Sequence, residues 1–135
     1  EPGTDTVVVD SPVGRLGLAI CYDLRFPELF RRLGEAGAEV LLVPSAFTRA
    51  TGRAHWEVLV RARAIENLAF VVAPAQGGYH VNERETWGQT MIVDPWGSIL
   101  ASRDSGAGVV LADLDPQMLA RTRGNFPAIE HRRLA

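Results

Sequence analysis

The chain contains no lysine: all 14 of its basic residues are arginine. Any chemistry that needs an amine side chain must therefore draw it from elsewhere. There is one cysteine, Cys21, which excludes an internal disulfide and gives no reason to place the chain in an oxidising compartment. Three histidines, His55, His80 and His131, lie far apart and show none of the spacings that hold a metal. Gly77-Gly78 lacks the rest of a phosphate-cradling loop. No metal and no cofactor are therefore expected. No apolar run approaches the length of a membrane span, and no secretory leader pattern is present. The formal net charge of −2 offers nothing to nucleic acid or to an anionic membrane. A soluble, cytoplasmic protein is the expectation.

What is present is enough apolar material for a core. Hydrophobic residues make up 47% of 135, which suits one domain and argues against disorder. Thr6–Asp10 reads as a β-branched strand closed by the turn Ser11-Pro12-Val13-Gly14. Leu16–Ile20 reads as a strand buried on both faces, with Cys21 at its carboxyl end. Phe26, Leu29, Phe30 and Leu33 then recur at helical spacing, with Pro27 in the first turn and Gly37 as the C-terminal cap. Val40–Val43 is a further strand, and residues 45–54 read as a loop broken at Thr51-Gly52. The strongest helix is His55–Leu68. It carries one stripe of Trp56, Leu59, Val60 and Arg63 and a second of Val58, Ala62, Ile65 and Ala69, so it should be covered on two sides. Phe70–Ala73 is a strand, residues 76–85 a polar loop, and Thr90–Val93 and Ser98–Ser102 flank an Asp94-Pro95-Trp96-Gly97 turn. Val109–Asp113 reads as a last strand and Pro116–Arg123 as a short helix. Early alternation and late antiparallel pairing predict an α/β fold with a mixed sheet.

A cysteine between a buried strand and a helix is well placed for a nucleophile. The strand holds it, the sharp exit turns backbone N–H groups outward, and the helix's positive end favours a thiolate. The same residue also reads as a small buried hydrophobe. A base is required, and His55, His80 and His131 are all available in principle. So are the carboxylates Asp23, Glu28 and Glu57, although Asp23 equally suits a helix cap or an ion pair with Arg25. Asp23 and Glu28 as a glycosidase pair have no supporting spacing. His131-Arg132-Arg133 reads as a solvated tail.

The run from Gly14 to Glu28, through Ile20-Cys21-Tyr22-Asp23-Leu24-Arg25-Phe26-Pro27, resembles the nucleophile motif of the nitrilase superfamily of carbon–nitrogen hydrolases. The likeness continues in order through Pro44-Ser45-Ala46-Phe47, Thr51-Gly52, His55-Trp56-Glu57, Arg61 to Asn67, Asp94-Pro95-Trp96-Gly97 and Pro127 to Arg133. Within the superfamily it is most similar to the Nit branch, on the side of the deaminated glutathione amidases rather than the omega-amidases. The resemblance implies an αββα sandwich, helix-mediated pairing into homodimers or higher oligomers, and a cysteine hydrolase that releases ammonia from a small amide through a thioester. It implies Cys21 as nucleophile and the Tyr22 backbone N–H as an oxyanion donor. It also implies Phe47 and Thr48 as pocket lining, and Arg25 and Glu57 as supports behind the site.

The family's glutamate base, lysine and supporting glutamate all precede the cysteine motif by a wide margin. Only twenty residues precede Cys21 here, and Glu1 falls in a stretch that follows the supporting glutamate. Residues 1–135 thus resemble the C-terminal portion of a single domain. Two other readings stand beside this one: a half-domain that assembles with a separate chain, and a Cys–His hydrolase using His55 or His80. The 135-residue chain alone is expected to show no amidase turnover and to leave apolar faces prone to association. Robust ammonia release by a mass-verified 135-residue chain would refute this.

Overall fold

The computed structural model describes residues 3–81 and 83–134; Glu1 lies outside them. In chain order the elements are β1 (Val7–Ser11), β2 (Gly14–Leu18), a 3₁₀ turn (Cys21–Arg25), α1 (Pro27–Glu35), β3 (Val40–Leu42) and α2 (Arg49–Asn67). They continue with β4 (Phe70–Ala73), β5 (Gly77–Tyr79), β6 (Glu85–Trp87), β7 (Thr90–Val93), β8 (Ile99–Arg103) and α3 (Pro116–Asn125). Six strands form one mixed sheet in the order β1-β2-β3-β4-β7-β8, and β5-β6 is a separate hairpin. The central strands β2, β3 and β4 run parallel, and the outer pairs are antiparallel.

Parallel neighbours need crossovers, and here α1 and α2 supply them. Two right-handed crossovers stepping the same way along a sheet place both helices on one face. The register shows which residues meet them. Gly17, Leu41, Val71 and Val93 are aligned across β2, β3, β4 and β7, and all four are buried. They pack with Phe30 and Leu33 of α1 and with Trp56, Val60 and Ala64 of α2. Gly17 allows the closest approach, since a Cβ there would lie 2.9 Å from that of Ala38. The alternate residues Val40, Phe70 and Leu16 meet Leu119 and Met118 of α3 on the opposite face.

That second face is covered only in part. Leu18 and Ile20 are exposed, as are Val7 and Val9 on the neighbouring strand. The expectation that β2 is buried on both faces is therefore corrected: among the described residues only the Gly17 and Ala19 side is enclosed. The outer stripe of α2 is likewise open, with Val58 and Ile65 exposed.

Three other boundaries differ from the sequence reading. The segment 49–54 is helical, because Gly52 serves packing rather than breaking: it is buried, and a Cβ on it would fall 2.1 Å from the Trp87 Cβ. The polar loop 76–85 contains β5 and leads into β6, whose Gly77↔Trp87 and Tyr79↔Glu85 pairs make a hairpin. Residues 109–113 form no strand. Val109 and Leu111 alternate outward and are exposed, with no described strand alongside to pair with them. His131 to Arg133 is not purely a solvated tail, since Arg132 bonds Glu35 of α1 at 2.7 Å. Among the described residues no helix is long and apolar enough to cross a membrane.

Gly52→Ala separates two opposed effects. Helix propensity alone would stabilise the protein by about 1 kcal/mol. The clash with Trp87 should outweigh it and give a net loss of roughly 1–3 kcal/mol. Urea unfolding of the variant checks the sign, and an unchanged or higher midpoint would show that Trp87 moves aside freely.

Candidate active site

The nucleophile candidate sits where the parallel ladder runs out. Beyond β2 the extended chain still pairs with its neighbour, through Ala19 N–H to Leu42 O (3.0 Å) and Cys21 N–H to Pro44 O (2.9 Å). Ser45 N–H likewise donates to Pro74 O at 2.9 Å. Cys21 therefore lies at the carboxyl ends of adjacent parallel strands, the usual place for a ligand crevice in such sheets. There the chain reverses: Cys21 has φ +48°, in the left-handed region that residues with a Cβ seldom occupy. Strain of this kind clusters at functional sites.

The reversal is locked from two directions. Asp23 Oδ2 accepts the Ile20 N–H at 2.8 Å, and Asp23 N–H donates to Ile20 O at 3.0 Å. From α2, Arg63 reaches under the turn and donates twice to Leu24 O, from Nε at 3.1 Å and from Nη2 at 2.8 Å. Arg63 is 5% exposed, its charge is answered by Glu66 at 2.7 Å, and its guanidinium lies over the Phe30 ring at 5.3 Å. A planar fork answers one carbonyl and one carboxylate together, which an ammonium does less well.

Held this way, Cys21 Sγ accepts a hydrogen bond from Ala46 N–H at 3.5 Å. The Tyr22 N–H is left without a hydrogen-bond partner among the described residues. The thiol opens on a cleft of about 500 Å³ whose walls include Ile20, Pro44, Ala46, Gln76 and Thr90. A thiol, an unengaged N–H one residue on and an open cleft can perform attack on a carbonyl carbon and hold the oxyanion that results.

The other expected residues are divided between this centre and elsewhere. Arg25 is near it: its guanidinium stacks over Tyr22 at 5.6 Å and Phe47 at 5.0 Å, and Nη1 approaches His55 Nδ1 at 3.3 Å. Phe47 is 6% exposed and packs edge-on against Trp56, so it belongs mainly to the core. Thr48 precedes α2 as its exposed N-cap residue, bonded to Thr51 Oγ1 at 2.8 Å. Glu57 lies with a different group: it accepts Gln89 Nε2 at 3.0 Å and pairs with Arg61 at 3.5 Å.

Among the described residues no histidine bonds the thiol. His55 is turned to Arg25, and His80 Nε2 meets Thr86 Oγ1 at 2.7 Å. Asp23 is occupied by its cap, and Glu28 lines a separate cleft with Arg31, Glu35 and Arg132. Sequence reasoning placed Arg63 in an apolar stripe and gave it no role. An arginine at a core-facing position of a helix was itself the available signal, because a buried guanidinium requires partners. The Ala46 N–H left no such trace, being a backbone group.

The sequence matches the profile of the carbon-nitrogen hydrolase family over residues 1–124. It is 53% identical over 119 residues to a deaminated glutathione amidase of Synechocystis sp., a match covering 88% of this chain and 44% of that protein. The C. elegans NitFhit protein superposes with a TM-score of 0.95 at 48% identity, over 98% of this chain and 32% of that one. An amidase from Nesterenkonia sp. AN1, in whose crystal structure acrylamide has added to the active-site cysteine, gives 0.77 at 28% identity over 95% and 50%. The chain thus spans less than half the length of the Synechocystis amidase relative.

Arg63→Met keeps most of the apolar stem but leaves Leu24 O and Glu66 without their cation. A loss of about 3 kcal/mol is expected. A denaturation midpoint within error of the parent, with an unchanged slope, would mean that the turn does not need this residue.

Proposed function

The chain belongs to the carbon–nitrogen hydrolase family, and from that premise we propose that it carries the nucleophile of an amidase, with Cys21 attacking the carbonyl carbon of a small amide. The observation that supports this best is the pairing of a left-handed Cys21 with an unengaged Tyr22 N–H at the mouth of an open cleft.

The chemistry runs in two halves. Cys21, as thiolate, adds to the carbonyl carbon while the carbonyl oxygen takes up negative charge against the Tyr22 N–H. Collapse expels the nitrogen, which takes the proton that the base removed from the thiol and leaves as ammonia or an amine, and a thioester remains. Water then adds to the thioester, releases the acid and restores the thiol. The backbone turn at Cys21 and the two hydrogen bonds that Arg63 donates to Leu24 O keep Sγ and the N–H in fixed relation, so little reorganisation is left for the reacting step.

The proton acceptor and a lysine are assigned to sequence outside this chain, on the resemblance to the family. Their roles and the identity of the amide belong to the whole protein. Its amidase relatives are named for deaminated glutathione, which makes that compound, or an omega-amide, the first substrate to test. Phe47 and Thr48 are carried over from the family as pocket residues of the whole protein, and Arg25 would support the turn from beside Tyr22. Glu57 would act at a distance through Gln89. A cytoplasmic location suits a lone free thiol of this kind.

A second reading is favoured by the open apolar strip of Val7, Val9, Leu18 and Ile20. In it the chain is a half-domain that completes its sandwich with a separate or preceding segment. The exposed Val58, Ile65 and Trp96 would then serve pairing of two copies through α2.

Cys21→Ala in the longer protein that includes this segment should lower amide hydrolysis by about a thousandfold or more, read as ammonia or amine release. Undiminished turnover would reject the nucleophile assignment.

A further inference from the structure

The β4–β7 ladder stops one rung short of the cleft at Cys21. Within it Val71 faces Val93 and Ala73 faces Met91, so the same register would next set Ala75 opposite Gln89. Val72 and Pro74 turn their carbonyls toward the β3 side, to Val43 N–H and Ser45 N–H, each at 2.9 Å. Such groups alternate along extended chain, so Ala75 turns its N–H and C=O the other way, toward β7. A backbone pair from Gln89 would be the usual partner.

Gln89 is not available for it. Its φ is +62°, its N–H donates to Asp104 O at 3.0 Å, and its carbonyl accepts from Trp56 Nε1 at 2.7 Å. Its side chain accepts from Trp87 Nε1 and donates to Glu57, each at 3.0 Å. The next side chain takes the place instead. Thr90 Oγ1 accepts the Ala75 N–H at 2.9 Å and donates to Ala75 O at 3.3 Å. A hydroxyl has one donor and two acceptor sites, so it can replace both bonds of the missing rung.

We propose that Thr90 is a positioning residue for the nucleophile, its hydroxyl holding Ala75 in register so that Ala46 presents its N–H to Cys21 Sγ. The assignment rests on the reading of Cys21 as nucleophile. The path between them is short. Ala75 bridges Ser45, with Ser45 N–H donating to Pro74 O and Gln76 N–H to Ser45 O, each at 2.9 Å. The residue after Ser45 is Ala46, whose N–H bonds Sγ at 3.5 Å. Without the hydroxyl, Ala75 loses both partners on its β7 side, and the tie that seats residues 74–76 against β7 goes with them. Gln76 and Thr90 both wall the cleft, and the β5–β6 hairpin is the chain between them. A hydrogen bond to sulfur favours the thiolate, which is the reacting form, so the register of Ala46 bears on reactivity.

Thr90→Val removes the hydroxyl and keeps the branched shape, whereas Thr90→Ser keeps the hydroxyl. In the longer protein that includes this segment, alkylation by iodoacetamide is followed on the Cys21 peptide by mass spectrometry. Thr90→Val should slow it about threefold or more. It should also lower kcat for amide hydrolysis about tenfold or more, with KM within about twofold of the parent. Thr90→Ser should hold both rates near the parent's. Thr90→Ala should behave as Thr90→Val and gives a second reading should the valine variant not fold. Parent-like alkylation in a variant without the hydroxyl overturns the assignment. So does an equal loss in Thr90→Ser, or a loss of hydrolysis confined to KM. Alkylation needs no turnover, so slowed alkylation in Thr90→Val beside undiminished turnover in Cys21→Ala would remove the nucleophile reading alone.

Discussion

Parallel pairing of β2, β3 and β4 is the constraint on which the rest of this molecule depends. It requires a crossover after β2 and another after β3, and the handedness of those two crossovers places α1 and α2 over the same face. It brings three carboxyl ends into one line, so that the loop after each strand contributes to one crevice. Cys21, Ser45 and Ala75 stand at corresponding places beyond those strands, although the first and last lie 54 positions apart in the chain.

Upon that frame the site is assembled chiefly from backbone. The hydrogen bond to Sγ, the unengaged N–H beside it and the carbonyl gripped by Arg63 are all main-chain groups. Side chains act one step further out, fixing where those groups point. Asp23 closes the turn from inside and Arg63 from beneath, and both use charge-assisted bonds, which are stronger than neutral ones and better at holding a strained φ in place.

How much of this could be read from sequence follows from the same division. Strands such as Phe70–Ala73 and Thr90–Val93 were legible to the residue, because short apolar runs bounded by breakers have one sensible conformation. Cys21 was legible as a candidate from its position and, through the motif around it, as a nucleophile. Gly52 was misread, since a glycine that admits an indole and a glycine that ends a helix look alike until Trp87 is known to lie against it. The 109–113 segment was misread for a related reason. Alternation marks a segment able to pair, and pairing needs a neighbour. Thr90 drew no notice because a threonine at the start of a strand is ordinary, whatever its hydroxyl bonds.

The β5–β6 hairpin is not an independent flap. Trp87 rests on Gly52, Thr86 bridges to Thr48, and Glu85 is bound by Arg49, so three successive residues of β6 are fastened to the opening turn of α2. Farther along, that same helix grips the turn after Cys21 through Arg63. One rigid rod thus sets both the floor of the crevice and its far wall, at opposite ends of its length. A shift in the seating of α2 would alter how wide the crevice stands before it disturbed any reacting atom, so natural variation in which amides fit should be found along the buried side of this helix as well as among the residues that face the ligand.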